Sequence, residues 1–178
     1  MDYIIGVDFD NTIIGYDDLL FRLALERQLI PRDAKRGKKS IRDHIRRHHT
    51  DLEWQKLQAE MYGPRIGEAV LINGVADFFR ACKDRNVSVF IVSHKTAHSN
   101  LTGGGANFHD AATGWLRAQG FFGKPFGLTE NGVFYRPTLT QKVAQIAELK
   151  CTHFIDDLEE TFRETGFPSG VRRMLFNS

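Results

Sequence analysis

The chain has 178 residues, 42% hydrophobic and 26% charged, a composition that suits one globular domain with room for an inserted module. Its net charge of +2 is too mild to require a nucleic-acid partner. Cys82 and Cys151 lie in no metal or redox spacing, no apolar run reaches the roughly 20 residues of a membrane span, and no signal-peptide pattern opens the chain, so a cytoplasmic protein without disulfides or membrane partners is expected.

The first run, Tyr3 to Val7, is short and rich in β-branched residues and predicts a strand buried on both faces. It continues into Asp8-Phe9-Asp10-Asn11-Thr12, where the two-residue period of extended chain sends both carboxylates to one side. Two such charges about 4 Å apart repel by about 4 kcal/mol at an effective dielectric near 20. A chain that pairs them holds a cation, shares a proton, or divides nucleophile and acid/base roles. Ile13 to Tyr16 reads as a turn, and Asp17 or Asp18 as the cap of a helix carrying Leu19, Leu20, Leu23 and Ile30 and ended by Pro31. With Ser40 as a cap, 41–49 and 52–62 read as two further helices, broken off by Gly63-Pro64. The segment 15–73 is thus expected to be helical, with no strand.

Beyond it, 74–86 reads as an amphipathic helix and Val87 to Val92 as a strand ending at Ser93. Next come a loop containing Gly103-Gly104-Gly105, a helix over 108–119, and a hairpin-type turn at Asn131-Gly132 between 125–128 and 133–135. A helix over 138–149 carries Lys142; a strand over 152–155 runs into Asp156-Asp157; a short helix and a strand over 171–176 close the chain. Strands alternating with helices predict an α/β, Rossmann-like doubly wound parallel sheet. Ligands of such sheets sit beyond the carboxyl ends of the strands. That rule would gather Asp8, Asp10, Ser93, Asp156, Asp157 and Lys142 at one rim, a set suited to magnesium and an anionic substrate, and so to phosphoryl transfer.

In that order, Asp8-Phe9-Asp10-Asn11-Thr12, Ser93, Lys142 and Asp156-Asp157 resemble the four motifs of the haloacid dehalogenase-like (HAD) hydrolase superfamily. The resemblance covers residues 1–14 and 74–178 as a catalytic core, with 15–73 as a small helical cap of the first type. It implies that Asp8 attacks phosphorus to give an aspartyl-phosphate, and that Asp10 protonates the leaving oxygen and then activates water. It implies magnesium held by Asp8, the backbone carbonyl of Asp10 and Asp157, with Asp156 binding directly or through water. Ser93 would bond a phosphoryl oxygen and Lys142 would offset charge. Asn11 departs from the commoner glycine, and Asp10 argues against a dehalogenase, whose chemistry needs no acid there.

Asn11, Thr12, His94, Lys95, Arg42 and Arg46 are candidates for substrate contacts, the last two within a basic tract spanning 32–49. Trp54 and Tyr62 are expected to pack. His44, His48 and His49 have helical spacing, but no well-placed acid or cysteine completes a zinc site. The expected activity is a magnesium-dependent phosphatase for a small phosphomonoester such as a nucleotide or sugar phosphate. The alternatives are a nucleic-acid end phosphatase using the basic tract, and a non-catalytic protein that binds phosphorylated ligands.

Overall fold

The computed structural model describes residues 3–99, 101 and 105–177; Gly103 and Gly104 of the glycine-rich loop lie outside the described residues. Five strands form a parallel sheet: β1 (Ile4–Val7), β4 (Ser88–His94), β5 (Val133–Arg136), β6 (His153–Asp156) and β7 (Arg172–Leu175). Their spatial order is β5-β4-β1-β6-β7, so the chain starts in the centre and winds outward both ways, the α/β arrangement the alternation predicts. The crossovers run through α4 (Val75–Asp84), α5 (Phe108–Ala118), α6 (Leu139–Glu148) and the short α7 (Glu159–Arg163). Parallel pairing leaves the central strands covered on both faces, which is why β1 and β4 read as unbroken apolar runs.

Register decides where the acids fall. Val7 pairs with Ile91 on one side and with Ile155 on the other, so Asp8 emerges beside Asp156 and one residue short of Ser93. Gly6 permits a close approach beneath them. A methyl group there would meet the Phe154 ring at 2.5 Å, and that ring supports the Lys142 ammonium from 5.4 Å.

Between β1 and α4 come β2 (Ile14–Gly15), α1 (Asp17–Glu26), α2 (Lys38–His48), α3 (Asp51–Tyr62) and β3 (Val70–Leu71). Here the expectation of a strand-free segment is corrected. Ile14 and Gly15, read as a turn, pair antiparallel with Leu71 and Val70. Each strand has two residues, too few to leave a period in the sequence. Gly37, not Ser40, precedes α2, and α1 ends at Glu26, five residues before Pro31. Leu19, Leu20, Leu23, Ile41, Ile45, Trp54 and Leu57 from these helices join Phe9, Phe79 and Trp115 in one continuous core.

The hairpin expected at Asn131-Gly132 is not formed. Residues 130–132 make a single 3-10 turn, closed by the Gly132 N–H on the Thr129 carbonyl at 2.9 Å, and β5 then runs parallel to β4. Leu128 turns into the core instead of pairing. Among the described residues no helix is long and apolar enough to cross a membrane.

Candidate functional site

The carboxyl ends of β1, β4 and β6 open into a cleft of about 560 Å³. Its floor carries Asp8, Asp10, Ser93, Lys142 and Asp157, and α3 and the start of α2 face them with Gln55, Gln58, Tyr62 and Lys38. Residues far apart in the chain therefore share one small volume.

Lys142 lies on the first turn and a half of α6, whose N-terminus Thr138 caps by accepting the Gln141 N–H. The ammonium, only 2% exposed, donates to Asp8 Oδ1 and to Asp156 Oδ2, both at 2.6 Å. Asp156 accepts in addition the Leu158 N–H at 2.9 Å, which locks its carboxylate below the cleft. Burial opposes the charge of Lys142, but Asp8 and Asp156 outweigh it and raise the ammonium above its ordinary value. Burial pushes Asp8 up to about 7, with the charges of Asp156 and Asp10 acting in the same direction and Lys142 opposing them. Asp157, facing the cleft, is pushed up to about 6 by burial and by Asp156.

One carboxylate oxygen from each of Asp8, Asp156 and Asp157 lies within 4.8 Å of the others. Hard carboxylate oxygens gathered there fit a divalent cation such as magnesium, which takes one or two of them directly and fills its remaining positions with water or phosphate. The raised carboxyls set the sign of a linkage. Between the ordinary carboxyl value near 4 and the folded values of about 6 and 7, the cation-free native state binds more protons than the unfolded chain, so stability falls as pH rises through that window. The Tm of cation-free protein is therefore expected to drop between pH 5 and pH 8. Magnesium should raise it more at pH 8 than at pH 5; at 100 times Kd a bound cation adds about 2.7 kcal/mol of stability. A magnesium increment independent of pH would remove these carboxylates as the ligands.

Ser93 is the last residue but one of β4, its Oγ buried and without a hydrogen-bond partner among the described residues, although it lines the cleft. A buried hydroxyl of this kind carries a desolvation penalty of about 1–3 kcal/mol until an acceptor arrives. Asn11 also lines the cleft and holds φ at 57°, the left-handed region that glycine, then asparagine, tolerates best. Its difference from glycine is therefore conformationally conservative.

Asp10 is held from two sides. The Tyr16 hydroxyl donates to Oδ1 at 2.8 Å, and Lys95 Nζ stands 2.8 Å from Oδ2 with its side chain 4% exposed. Burial and Asp10 together raise the Tyr16 phenol well above its ordinary value, which keeps it a donor. Lys95 thus neutralises an acid at the cleft floor. His94 borders the cleft, its Nε2 within 3.2 Å of the Pro137 carbonyl.

Three of the expected substrate contacts fall elsewhere. Arg42 is turned to Asp43 (Nη2 to Oδ1, 2.9 Å) and Arg46 to Asp51 (Nε to Oδ1, 2.6 Å), and neither lines the cleft. The buried Ile41 and Ile45 set the inward face of α2, and the arginines next to them in sequence stay outside. Thr12 is buried and lines a separate pocket with Val7, Asn73 and Val75, not the cleft. Conversely, sequence reasoning passed over Tyr16, placed in a supposed turn, and Lys38, one lysine in a tract where arginines drew attention. Tyr62, expected only to pack, lines the cleft.

The sequence matches no family model and no curated protein. Solved structures match along almost the whole chain. A haloacid dehalogenase-like hydrolase from Streptococcus pneumoniae is 13% identical with a TM-score of 0.62, over 98% of this chain and 84% of that one. A HAD family hydrolase from Deinococcus radiodurans, solved with bound phosphate and sodium, is 13% identical with a TM-score of 0.57, over 97% and 79%. A HAD family enzyme from Bacteroides thetaiotaomicron, a mutant in complex with magnesium and inorganic phosphate, is 12% identical with a TM-score of 0.50, over 97% and 93%. The chain has the haloacid dehalogenase-like hydrolase fold.

Proposed function

On the premise of that fold, we propose that this protein is a magnesium-dependent phosphatase acting on a small phosphomonoester, with residues 15–73 serving as its cap. The observation that carries the reading is the floor of the cleft, where Lys142 binds Asp8 and Asp156 and the Ser93 hydroxyl has no partner among the described residues. The phosphate and magnesium bound by proteins of the same fold support it further.

In this reading Asp8 presents the oxygen not engaged by Lys142 to phosphorus. The P–O bond to the leaving group breaks as the Asp8 O–P bond forms, giving an aspartyl-phosphate. Asp10, aimed by Tyr16 and Lys95, delivers a proton to the leaving oxygen and then takes one from the water that attacks the aspartyl-phosphate. Ser93 and Lys142 donate to phosphoryl oxygens, where charge develops in the transition state. A divalent cation held by Asp8, Asp157 and the Asp10 carbonyl, with Asp156 binding directly or through water, would keep the raised carboxyls ionised and offset the negative charge of an incoming phosphate.

The reading is tested by phosphate release from a panel of sugar phosphates and nucleotides. Turnover is expected with magnesium and none with a chelator. Hydrolysis undiminished by the chelator, or no release from any phosphomonoester, would overturn it. Within the basic tract, Arg36, Arg42 and Arg46 are each paired with an acid and do not line the cleft, so these three offer no contact to a substrate bound there.

A further inference from the structure

We propose that the leaving group carries a second anionic group, a carboxylate or a second phosphate, and that Lys38 receives it; this deepens, and rests on, the phosphatase reading. The lysines of the cleft differ in whether their charge is already matched. Lys142 is bound by Asp8 and Asp156, and Lys95 by Asp10. Lys38, at the mouth, has no carboxylate within ion-pair distance among the described residues; it donates to the Tyr62 hydroxyl at 3.0 Å.

Lys38 is therefore a positioned cation with no directly bonded carboxylate among the described residues, although Asp10 and Asp157 act on its charge through space. Its acceptor is itself fixed. The Tyr62 ring meets Tyr16 edge-on at 5.1 Å between centroids and Phe108 at 6.1 Å, and Lys95 Nζ stands 4.3 Å from its centre. The cleft is also lined by the uncharged Gln55, Gln58, Thr96 and Ser99 and by His94 and His98, while Asp8, Asp10 and Asp157 are its acids. A phosphate at Ser93 and Lys142 fills only part of the 560 Å³, which leaves room for a polar moiety between floor and mouth. Stacking of a base on Tyr62 is the poorer fit, because Lys95 already occupies a face of the ring.

Two matched ligand pairs test the proposal: 3-phosphoglycerate against glycerol 3-phosphate, and glucose 1,6-bisphosphate against glucose 6-phosphate. Each differs mainly in the second anionic group. Binding is measured by calorimetry with magnesium on the Asp8→Asn protein, so that turnover does not interfere, and again with Lys38→Gln or Lys38→Arg added. A charge-assisted hydrogen bond at a partly exposed site corresponds to about tenfold in affinity. At least one of the two more anionic ligands should bind about tenfold tighter than its partner, Lys38→Gln should erase that preference without weakening the partner, and Lys38→Arg should keep it. Equal affinities in both pairs, no binding of either more anionic ligand, or a preference unchanged by Lys38→Gln would overturn the assignment. Phosphate release by the wild-type protein is followed in parallel. A preference that depends on Lys38 without any release would overturn the phosphatase reading and leave the Lys38 site standing.

Discussion

Asp8→Asn is expected to lower magnesium-dependent phosphate release by a factor on the order of 10⁴ or more while leaving the fold intact. The substitution is nearly isosteric. The amide oxygen can still accept from Lys142, so the contact at 2.6 Å has a replacement. What is lost is the anionic oxygen that attacks phosphorus, and an amide is a far weaker nucleophile. The thermal consequence runs the other way. Burial already pushes the Asp8 carboxyl up to about 7, so at neutral pH the native state holds a carboxylate it tolerates poorly. Without added cation the variant should melt at or above the wild-type temperature at pH 8, and magnesium should stabilise it less than the parent. Steady-state phosphate release and melting curves separate the two effects. Full activity in a well-folded variant would remove Asp8 as the nucleophile.

The floor of this site was largely legible in the sequence because its signals are local. Asp8, Ser93 and Asp156 each close a short apolar run, and parallel pairing carries the ends of such runs to one rim. Lys142 was legible only through its order among them, since one lysine in a helix has no signature of its own. The walls were not legible. Asp10 meets Lys95 across 85 positions, and Lys38 meets Tyr62 across 24, contacts that only packing creates. The basic tract misled in a physical way, because Arg42 and Arg46 find acids within their own segment while Lys38, next to Gly37 at the start of α2, turns to the cleft. Asn131-Gly132 carries a strong hairpin signal, yet the preceding Leu128 is buried in the core, and the turn merely feeds a parallel strand.

Removing the ammonium of Lys142 should be the most destabilising single change at the site. Lys142→Met keeps the length and apolar body of the side chain but leaves Asp8 and Asp156, both buried, facing each other without a cation between them. Breaking a buried ion pair from one side typically costs about 3–5 kcal/mol, because the remaining charge is desolvated and unpaired. For a chain of this size that corresponds to a fall in Tm on the order of 10 °C. The sign of its pH dependence comes from Asp8, which burial already pushes up to about 7 and which escapes the penalty by taking up a proton, so the loss should be smaller at pH 5 than at pH 8. A second substitution separates lost charge from lost packing. Adding Asp156→Asn removes one of the stranded charges and should recover part of the stability, a coupling that a purely steric effect would not produce. Magnesium should recover part of it as well, by supplying a cation to Asp8, Asp156 and Asp157. If Lys142→Met melts with the wild type at pH 8, the two carboxylates are not held by this ammonium, and the floor of the site has to be reassigned.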